Sequence, residues 1–164
     1  MSKREKIETE DASDEARLFR YLTEIGIINQ LSSAAFQKVL PHGLTVAQFA
    51  VLNHCVRMGD DKTPAELAAI LQVTRATLTS TLKRLESKAF IRLAPDAADG
   101  RSKRVLLTAA GRRAREQSIR ASWPLLAQFK AALPRKEVDR RLPELEALRA
   151  WLDRNRNTGT HEER

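Results

Sequence analysis

The sequence TPAELAAILQVTRATLTSTLKRLESK, residues 63–88, contains two helix starts, at Thr63 and at Thr74. Residues 63–66 form a capping box with proline at the first helical position, where the N–H that proline lacks has no partner in any helix. After a short apolar stretch, Thr74 is placed to cap a second helix. The apolar residues of this second helix share one stripe: Leu78, Leu82 and Leu85. Because its other face is basic and rich in threonine, the pattern favours a helix-turn-helix over an ordinary αα-hairpin.

Downstream of this helix pair the spacing of apolar residues changes. Residues 91–93 and 103–107 have the pattern of short strands, and the turn-rich segment 94–102 lies between them. The sequence therefore predicts a β-hairpin that presents Arg101 at its tip.

Two helices are predicted upstream of residue 63. Apolar residues recur at three- and four-residue steps from Leu18 to about Leu40, where a following proline and glycine end the helix. Residues 45–48 form another capping box and start a helix that ends at Gly59. The inward residues of this helix are expected to be Phe49, Leu52 and Val56.

The rest of the chain is predicted to form two further helices. Thr108 is placed to cap the first, which we expect to kink or break at Trp123-Pro124, since proline disrupts the hydrogen bonds of a helix interior. The second covers about residues 135–156 and has one apolar side: Val138, Leu142, Leu145, Leu148 and Leu152. Residues 1–13 and 157–164 are polar and are expected to be flexible.

Composition agrees with a mainly α protein of one domain. The 164 residues include 23 Ala and 21 Leu against 7 Ile and 7 Val, so helix formers outnumber residues that favour strands. The single cysteine excludes an intramolecular disulfide. No apolar run approaches the roughly 20 residues of a membrane span, and the charged N-terminus does not resemble a signal peptide. We therefore expect a cytoplasmic protein without a membrane partner.

The sequence contains no motif that indicates catalysis. It has three histidines, and we find no glycine-rich phosphate loop, nucleophile motif or metal-ligand spacing. We therefore expect no enzyme activity, no cofactor and no metal.

Charge is concentrated in one window of the chain. Residues 74–115 hold eleven basic and three acidic residues, which accounts for the whole net charge of +8. The other 122 residues are neutral. A basic patch on a neutral body is typical of proteins that bind polyanions, although a solvated basic face is the alternative.

The region around the predicted hairpin resembles the MarR family of bacterial winged helix-turn-helix regulators. Residues 99–111, DGRSKRVLLTAAG, match the family wing pattern D-x-R-x5-L-T-x-x-G at every fixed position. Residues 43–52 resemble the second helix of the family, and residues 63–68 and 74–79 resemble its helix-turn-helix. The resemblance extends over about residues 14–156.

This resemblance implies a mainly α fold with a small β-hairpin wing. A winged helix-turn-helix region at 45–115 would be flanked by dimerisation helices at 14–40 and 117–156, all within one domain at 14–156. The implied partners are a second copy of the chain and double-stranded DNA with a pseudo-palindromic operator. The recognition helix, Thr74–Lys88, would enter the major groove and the wing would reach the adjacent minor groove.

The resemblance and the residue types together predict the DNA contacts. Thr74 would cap the recognition helix and turn its N–H groups towards a phosphate. Base edges are expected to be contacted by Arg75, Thr77 and Ser80. Phosphates are expected to be contacted by Lys83, Arg84, Lys103 and Arg104. For Lys83 and Arg84 the alternative is a solvated helix face. In the wing, Arg101 would enter the minor groove, and Asp99 would orient an arginine through a salt bridge.

Two residues depart from the family pattern. Ala89 stands in the turn after the recognition helix, where relatives usually carry glycine, so a positive φ there would have a steric cost. Ser80 stands where many relatives carry a long basic side chain, which affects the expected base preference.

The function we expect is that of a dimeric, sequence-specific transcription regulator. We expect a repressor released by a small anionic aromatic ligand; the alternative is a ligand-independent DNA-binding or protein-partner regulator. Cys55 is expected to be an inert buried residue and not a redox sensor. His42 and His54 are candidates for lining an effector pocket. Trp123 and Trp151 are expected to be core or dimer anchors.

Overall fold

The computed structural model describes residues 13–96 and 102–155. Its elements, in chain order, are α1 (Asp14–Val39), α2 (Val46–Met58), α3 (Pro64–Ile70), α4 (Arg75–Ser87), β1 (Ile91–Pro95), β2 (Lys103–Leu107), α5 (Ala109–Phe129) and α6 (Arg135–Asn155). The predicted mainly α fold with one β-hairpin is confirmed. Within the described ranges, no helix combines the length and the hydropathy that a membrane span requires. The chain divides into two compact units, Met1–Ser122 and Trp123–Arg164.

The helix starts follow the capping residues that the sequence predicts. Thr45 and Gln48 form a reciprocal capping box at α2, and Thr63 and Glu66 form one at α3. The hydroxyl of Thr74 accepts a hydrogen bond from the N–H of the third residue of α4 at 3.1 Å. These caps fix the start of each helix in the helix-turn-helix because they satisfy backbone donors that the helix itself leaves unpaired.

The core of the first unit lies between α2, α3, α4 and the hairpin. Its fully buried large side chains include Leu44, Leu52, Leu67, Leu78, Leu85, Ile91 and Val105. The buried stripe predicted for α4 is confirmed. The inward face predicted for α2 is only partly right, because Leu52 is buried whereas Phe49 and Val56 are half-buried. The ring of Phe49 instead packs edge-on against Phe36 of α1, with ring centroids 4.9 Å apart.

The hairpin pairs β1 with β2 in antiparallel register, with Ile91 opposite Leu107 and Pro95 opposite Lys103. The turn between α2 and α3 pairs with β2 on its other side through a short antiparallel bridge. The N–H of Asp61 donates to the carbonyl of Val105 at 2.9 Å, and the N–H of Val105 donates to the carbonyl of Lys62 at 2.9 Å. The hairpin is therefore attached to the helix-turn-helix by backbone hydrogen bonds.

Both helices of the helix-turn-helix end at a residue with positive φ that is not glycine. Gln72 has a φ of 53° and Ala89 has a φ of 56°. At the end of α4, the N–H of Ala89 donates to Glu86 at 2.8 Å and the N–H of Phe90 donates to Leu85 at 3.0 Å. This pair of bonds is the Schellman motif, which normally has glycine at its left-handed position.

The wing pattern residues Thr108 and Gly111 tie the start of α5 to this same turn. The Thr108 hydroxyl donates to the carbonyl of Ala89 at 2.7 Å and accepts from the N–H of Gly111 at 3.0 Å. A Cβ added at Gly111 would collide with the carbonyl of Phe90. The helix start and the turn are thus too close for a side chain at this position.

The helix does not break at Pro124, because α5 continues through it to Phe129, so of the predicted kink or break only the kink stays a prediction. One proline removes only one N–H from the ladder, and the hydrogen bonds of the neighbouring residues hold the helix together. In α6, Pro143 likewise lies inside the continuous helix.

Both terminal helices carry large apolar side chains that the single chain leaves exposed. Neither α1 nor α6 contains a fully buried residue. Exposed apolar residues of α1 include Leu18, Phe19, Leu22, Ile28 and Leu31. In the second unit Trp123 is 58% exposed and Trp151 is 55% exposed. The two tryptophans are therefore not core residues of the single chain. Of the two roles predicted for them, that of dimer anchors stays a prediction.

Candidate nucleic-acid interface

Helix α4 presents a basic and hydroxyl-bearing face to solvent. Its three leucines, four and three positions apart, hold the opposite side in the core. With 3.6 residues per turn, Ser80 lies almost opposite this buried stripe. The predicted contact residues on this helix are all exposed: Arg75, Thr77, Ser80, Lys83 and Arg84.

The hydroxyl groups at the start of α4 are already ordered. The hydroxyls of Thr74 and Thr77 share a hydrogen bond of 2.8 Å. The hydroxyl of Thr79 donates to the carbonyl of Arg75 at 2.8 Å. A hydroxyl has two acceptor sites besides its donor, so Thr77 can still receive a hydrogen bond from a ligand while the cap holds it in place.

The cations of this face are available for an external partner. Within residues 13–96 and 102–155, no carboxylate forms an ion pair with Arg75, Lys83 or Arg84. The nearby acid Glu86 is used elsewhere, since its Oε1 accepts from the N–H of Leu93 at 3.1 Å. The face is therefore a positively charged surface at the start and along one side of a helix, which suits a polyanion.

Lys103 and Arg104 of the wing were both predicted to contact phosphates, but their environments differ. Lys103 is exposed, as a phosphate contact requires. Arg104 is half-buried: its Nε lies 2.7 Å from Oδ2 of Asp96, and its Nη1 donates to the carbonyl of Asp61 at 2.7 Å. The hydrogen bond that Arg104 donates to the carboxylate of Asp96 raises the pKa of the Arg104 guanidinium above its usual value. The predicted residues Asp99 and Arg101 lie outside the described residues.

The far end of the recognition helix is held by contacts that the sequence did not indicate. Nζ of Lys88 donates to the carbonyl of His42 at 2.6 Å and lies 3.3 Å from that of Gly43. The ring Nε2 of His42 lies 2.6 Å from Oε1 of Gln117 on α5. These long-range contacts join the end of α4 to the turn before α2, and that turn to α5. His42 and Gly43 in this turn both have positive φ, 60° and 59°.

Cys55 and His54 lie on α2, away from the exposed face of α4. The Cys55 side chain is 3% exposed, and burial raises the pKa of its thiol to about 11. Because the thiolate is the reactive form, this environment suits an inert residue. Burial and the nearby Lys62 and Arg57 lower the pKa of His54, whose Nε2 has no hydrogen-bond partner within the described structure.

Comparisons with known proteins agree with this geometry. A model of the MarR family matches residues 42–102, which cover the helix-turn-helix and the first part of the wing. The transcriptional activatory protein BadR of Rhodopseudomonas palustris is 31% identical over 137 residues, 79% of this chain and 73% of BadR. The chain belongs to the MarR family. It is accordingly a transcription regulator and not an enzyme.

Solved structures support the same assignment. Wild-type MarR from E. coli is 30% identical, with a TM-score of 0.68, over 77% of this chain and 93% of that chain. A MarR mutant from E. coli in complex with operator DNA is 28% identical, with a TM-score of 0.67, over 84% and 99% of the two chains. BldR of Sulfolobus solfataricus, 22% identical over 87% of this chain and 99% of its own, shares the fold with a TM-score of 0.72.

Proposed function

We propose that this MarR-family regulator binds a pseudo-palindromic operator as a homodimer, with α4 of each copy in the major groove. The observation that carries the proposal is the exposed basic face of α4, whose cations form no ion pair with the described residues and whose helix is held by a threonine cap and three buried leucines. The similarity to a MarR protein solved with operator DNA supports it.

The proposed contacts follow from position and chemistry. Thr74 caps α4, so the N–H groups at this helix start can face a phosphate. Arg75, Thr77 and Ser80 occupy the first half of α4, which is the part of a recognition helix that reaches base edges. Lys83, Arg84 and Lys103 are exposed cations suited to phosphates. We retain Arg101 as the minor-groove residue and Asp99 as its neighbouring acid on the basis of the wing pattern.

Dimerisation is proposed from the apolar side chains of the terminal helices. Large apolar residues are seldom exposed in such numbers on a monomer, and contiguous patches of this kind mark interfaces. We therefore propose one MarR-like domain at 14–156, in which 14–40 and 117–156 form the dimer interface and 45–115 binds DNA. Sedimentation of a stable, folded monomer at micromolar concentration would contradict this organisation.

The regulatory mode is proposed from the family resemblance. We propose repression that is relieved when a small anionic aromatic ligand shifts the dimer to a state whose recognition helices no longer match the groove. The alternative is a regulator without a ligand. A thermal-shift screen with phenolic acids separates the two, because a ligand of the folded dimer raises its melting temperature. BadR is named for activation, so a reporter assay with and without the protein tests the sign.

DNA selection tests the binding proposal itself. The protein is incubated with random-sequence duplexes, and the bound fraction is amplified and sequenced over several rounds. We expect enrichment of an inverted repeat and an affinity that falls steeply with salt, because phosphate contacts release counterions. An Arg75→Ala variant should lose about 1–3 kcal/mol of binding free energy and relax the preference at one base pair. Recovery of unenriched DNA would refute the proposal.

A further inference from the structure

Arg104 joins two parts of the chain that are far apart in sequence. Its Nε bonds to the carboxylate of Asp96 at the end of β1, and its Nη1 bonds to the carbonyl of Asp61 in the turn between α2 and α3. The Arg104 side chain is 31% exposed, whereas that of Asp96 is only 9% exposed. A charge-assisted bond to a shielded carboxylate is stronger than an exposed ion pair.

The turn that receives Arg104 contains a residue in the left-handed conformation. Asp61 has a φ of 73°, which aspartate and asparagine adopt more readily than other residues with a Cβ. Both backbone polar groups of Asp61 bond to β2, its N–H to the carbonyl of Val105 and its carbonyl to the Arg104 guanidinium. Next to it, Oδ2 of Asp60 accepts from the N–H of Leu107 at 2.8 Å. Arg104 is thus a side chain that joins this turn to both strands of the wing.

We propose that Arg104 is a positioning residue that fixes the orientation of the wing relative to the helix-turn-helix, and not a phosphate contact. This inference rests on the proposed DNA-binding function. To reach a phosphate, Arg104 would have to leave Asp96 and Asp61. The shielded carboxylate of Asp96 and the backbone carbonyl of Asp61 would then lose the Arg104 donor, which costs free energy. Arg104 therefore acts on DNA through the wing that it holds, while the exposed neighbour Lys103 contacts DNA directly.

Three variants test these roles, and Asp96→Asn separates them by the sign of its effect. Removing the negative charge of Asp96 should strengthen DNA binding if Arg104 were a phosphate contact, because it would free the cation. If Arg104 positions the wing, Asp96→Asn should weaken binding about tenfold, as should Arg104→Gln, by loss of a charge-assisted hydrogen bond. Arg104→Lys keeps the charge but not the two-bond geometry, so it too should weaken binding. Wild-type affinity in Arg104→Lys would overturn the inference.

The salt dependence of DNA binding offers a further test, because general destabilisation of the fold would not change it. Titrations use the duplex that the wild-type protein selects from random DNA. Lys103→Gln should lower the slope of log affinity against log salt by about 0.9, the value for one lost phosphate contact. Asp96→Asn keeps the Arg104 cation and should lose affinity without a steeper slope than the wild type. A steeper slope and tighter binding in Asp96→Asn would identify Arg104 as a phosphate contact and overturn the inference.

Amide hydrogen exchange tests the same inference without DNA. The N–H groups of Asp61 and Val105 cross the junction that Arg104 holds. In Arg104→Gln and Asp96→Asn these two amides should exchange about tenfold faster, while Lys103→Gln should leave them unchanged. Unchanged exchange in Arg104→Gln would refute the positioning role. If the wild-type protein selects no DNA sequence, the proposed function fails, whereas the exchange result still decides whether Arg104 holds the wing.

Discussion

Ala89→Gly should stabilise the protein, although glycine usually destabilises a fold. Ala89 has a φ of 56° in the Schellman turn that ends the recognition helix. The turn is fixed by four backbone groups and by the Thr108 hydroxyl, so Ala89 cannot relax to negative φ without breaking these bonds. The strain is therefore retained in the folded state.

The magnitude follows from two opposing contributions. A left-handed conformation costs a residue with a Cβ roughly 1–2 kcal/mol, which glycine does not lose. Glycine in turn gives the unfolded chain more freedom, which costs about 0.4–1 kcal/mol. Ala89→Gly should therefore raise the free energy of unfolding by about 0.5–1 kcal/mol. This corresponds to an increase in melting temperature of roughly 1–4 °C for a chain of this size.

Urea denaturation at fixed protein concentration measures this difference. The matched control is Ala147→Gly, at an exposed position inside α6, where glycine should lower the free energy of unfolding by about 1 kcal/mol. Opposite shifts of the two midpoints would support the explanation. If Ala89→Gly destabilises the protein as much as the control does, positive φ at Ala89 carries no strain and the reasoning is refuted.

Three further results are expected. Arg101→Ala should weaken operator binding by about 1–3 kcal/mol with little change in melting temperature, and this loss should be larger on operators with A·T-rich flanks. If titrations at matched salt give the variant and the wild type equal affinities, Arg101 does not read the minor groove. The Cys55 thiol, with a pKa of about 11, should react with a disulfide reagent at pH 8 about a hundredfold more slowly in the folded protein than in urea, and rapid labelling of the native protein would contradict its burial. The pKa of His54 is lowered in the folded state, so below pH 6.5 the unfolded state takes up a proton that the folded state does not. The free energy of unfolding should therefore fall as the pH drops through the folded-state pKa. A His54→Gln variant measured by urea denaturation should lose part of this pH dependence.

Features set by neighbouring residues could be predicted from the sequence. The caps at Thr45, Thr63 and Thr74 depend on atoms three residues away, and all three form as predicted. The buried stripe of α4 follows from helix geometry alone. Likewise, the strands of the hairpin lie within one or two residues of their predicted ends.

Features set by tertiary contacts could not be predicted in this way. From its residue type and its place in the wing, Arg104 looks like a phosphate contact. Only the fold shows that it bonds to Asp61 and Asp96 instead. The face of α2 was assigned with Phe49 inward, because no local signal shows that α1 covers this ring. Similarly, a proline predicts a helix break, yet the remaining backbone bonds carry α5 past Pro124.

Changing the half-site spacing of the selected operator tests the central claim most directly. Two recognition helices of one dimer should match half-sites about one helical turn, or 10 bp, apart. Inserting 5 bp between the half-sites turns one of them to the opposite side of the duplex while leaving every base of each half-site intact. We expect affinity to fall to that of unrelated DNA at the same salt. Equal affinity for the original and lengthened operators would contradict binding by a dimer with two fixed recognition helices.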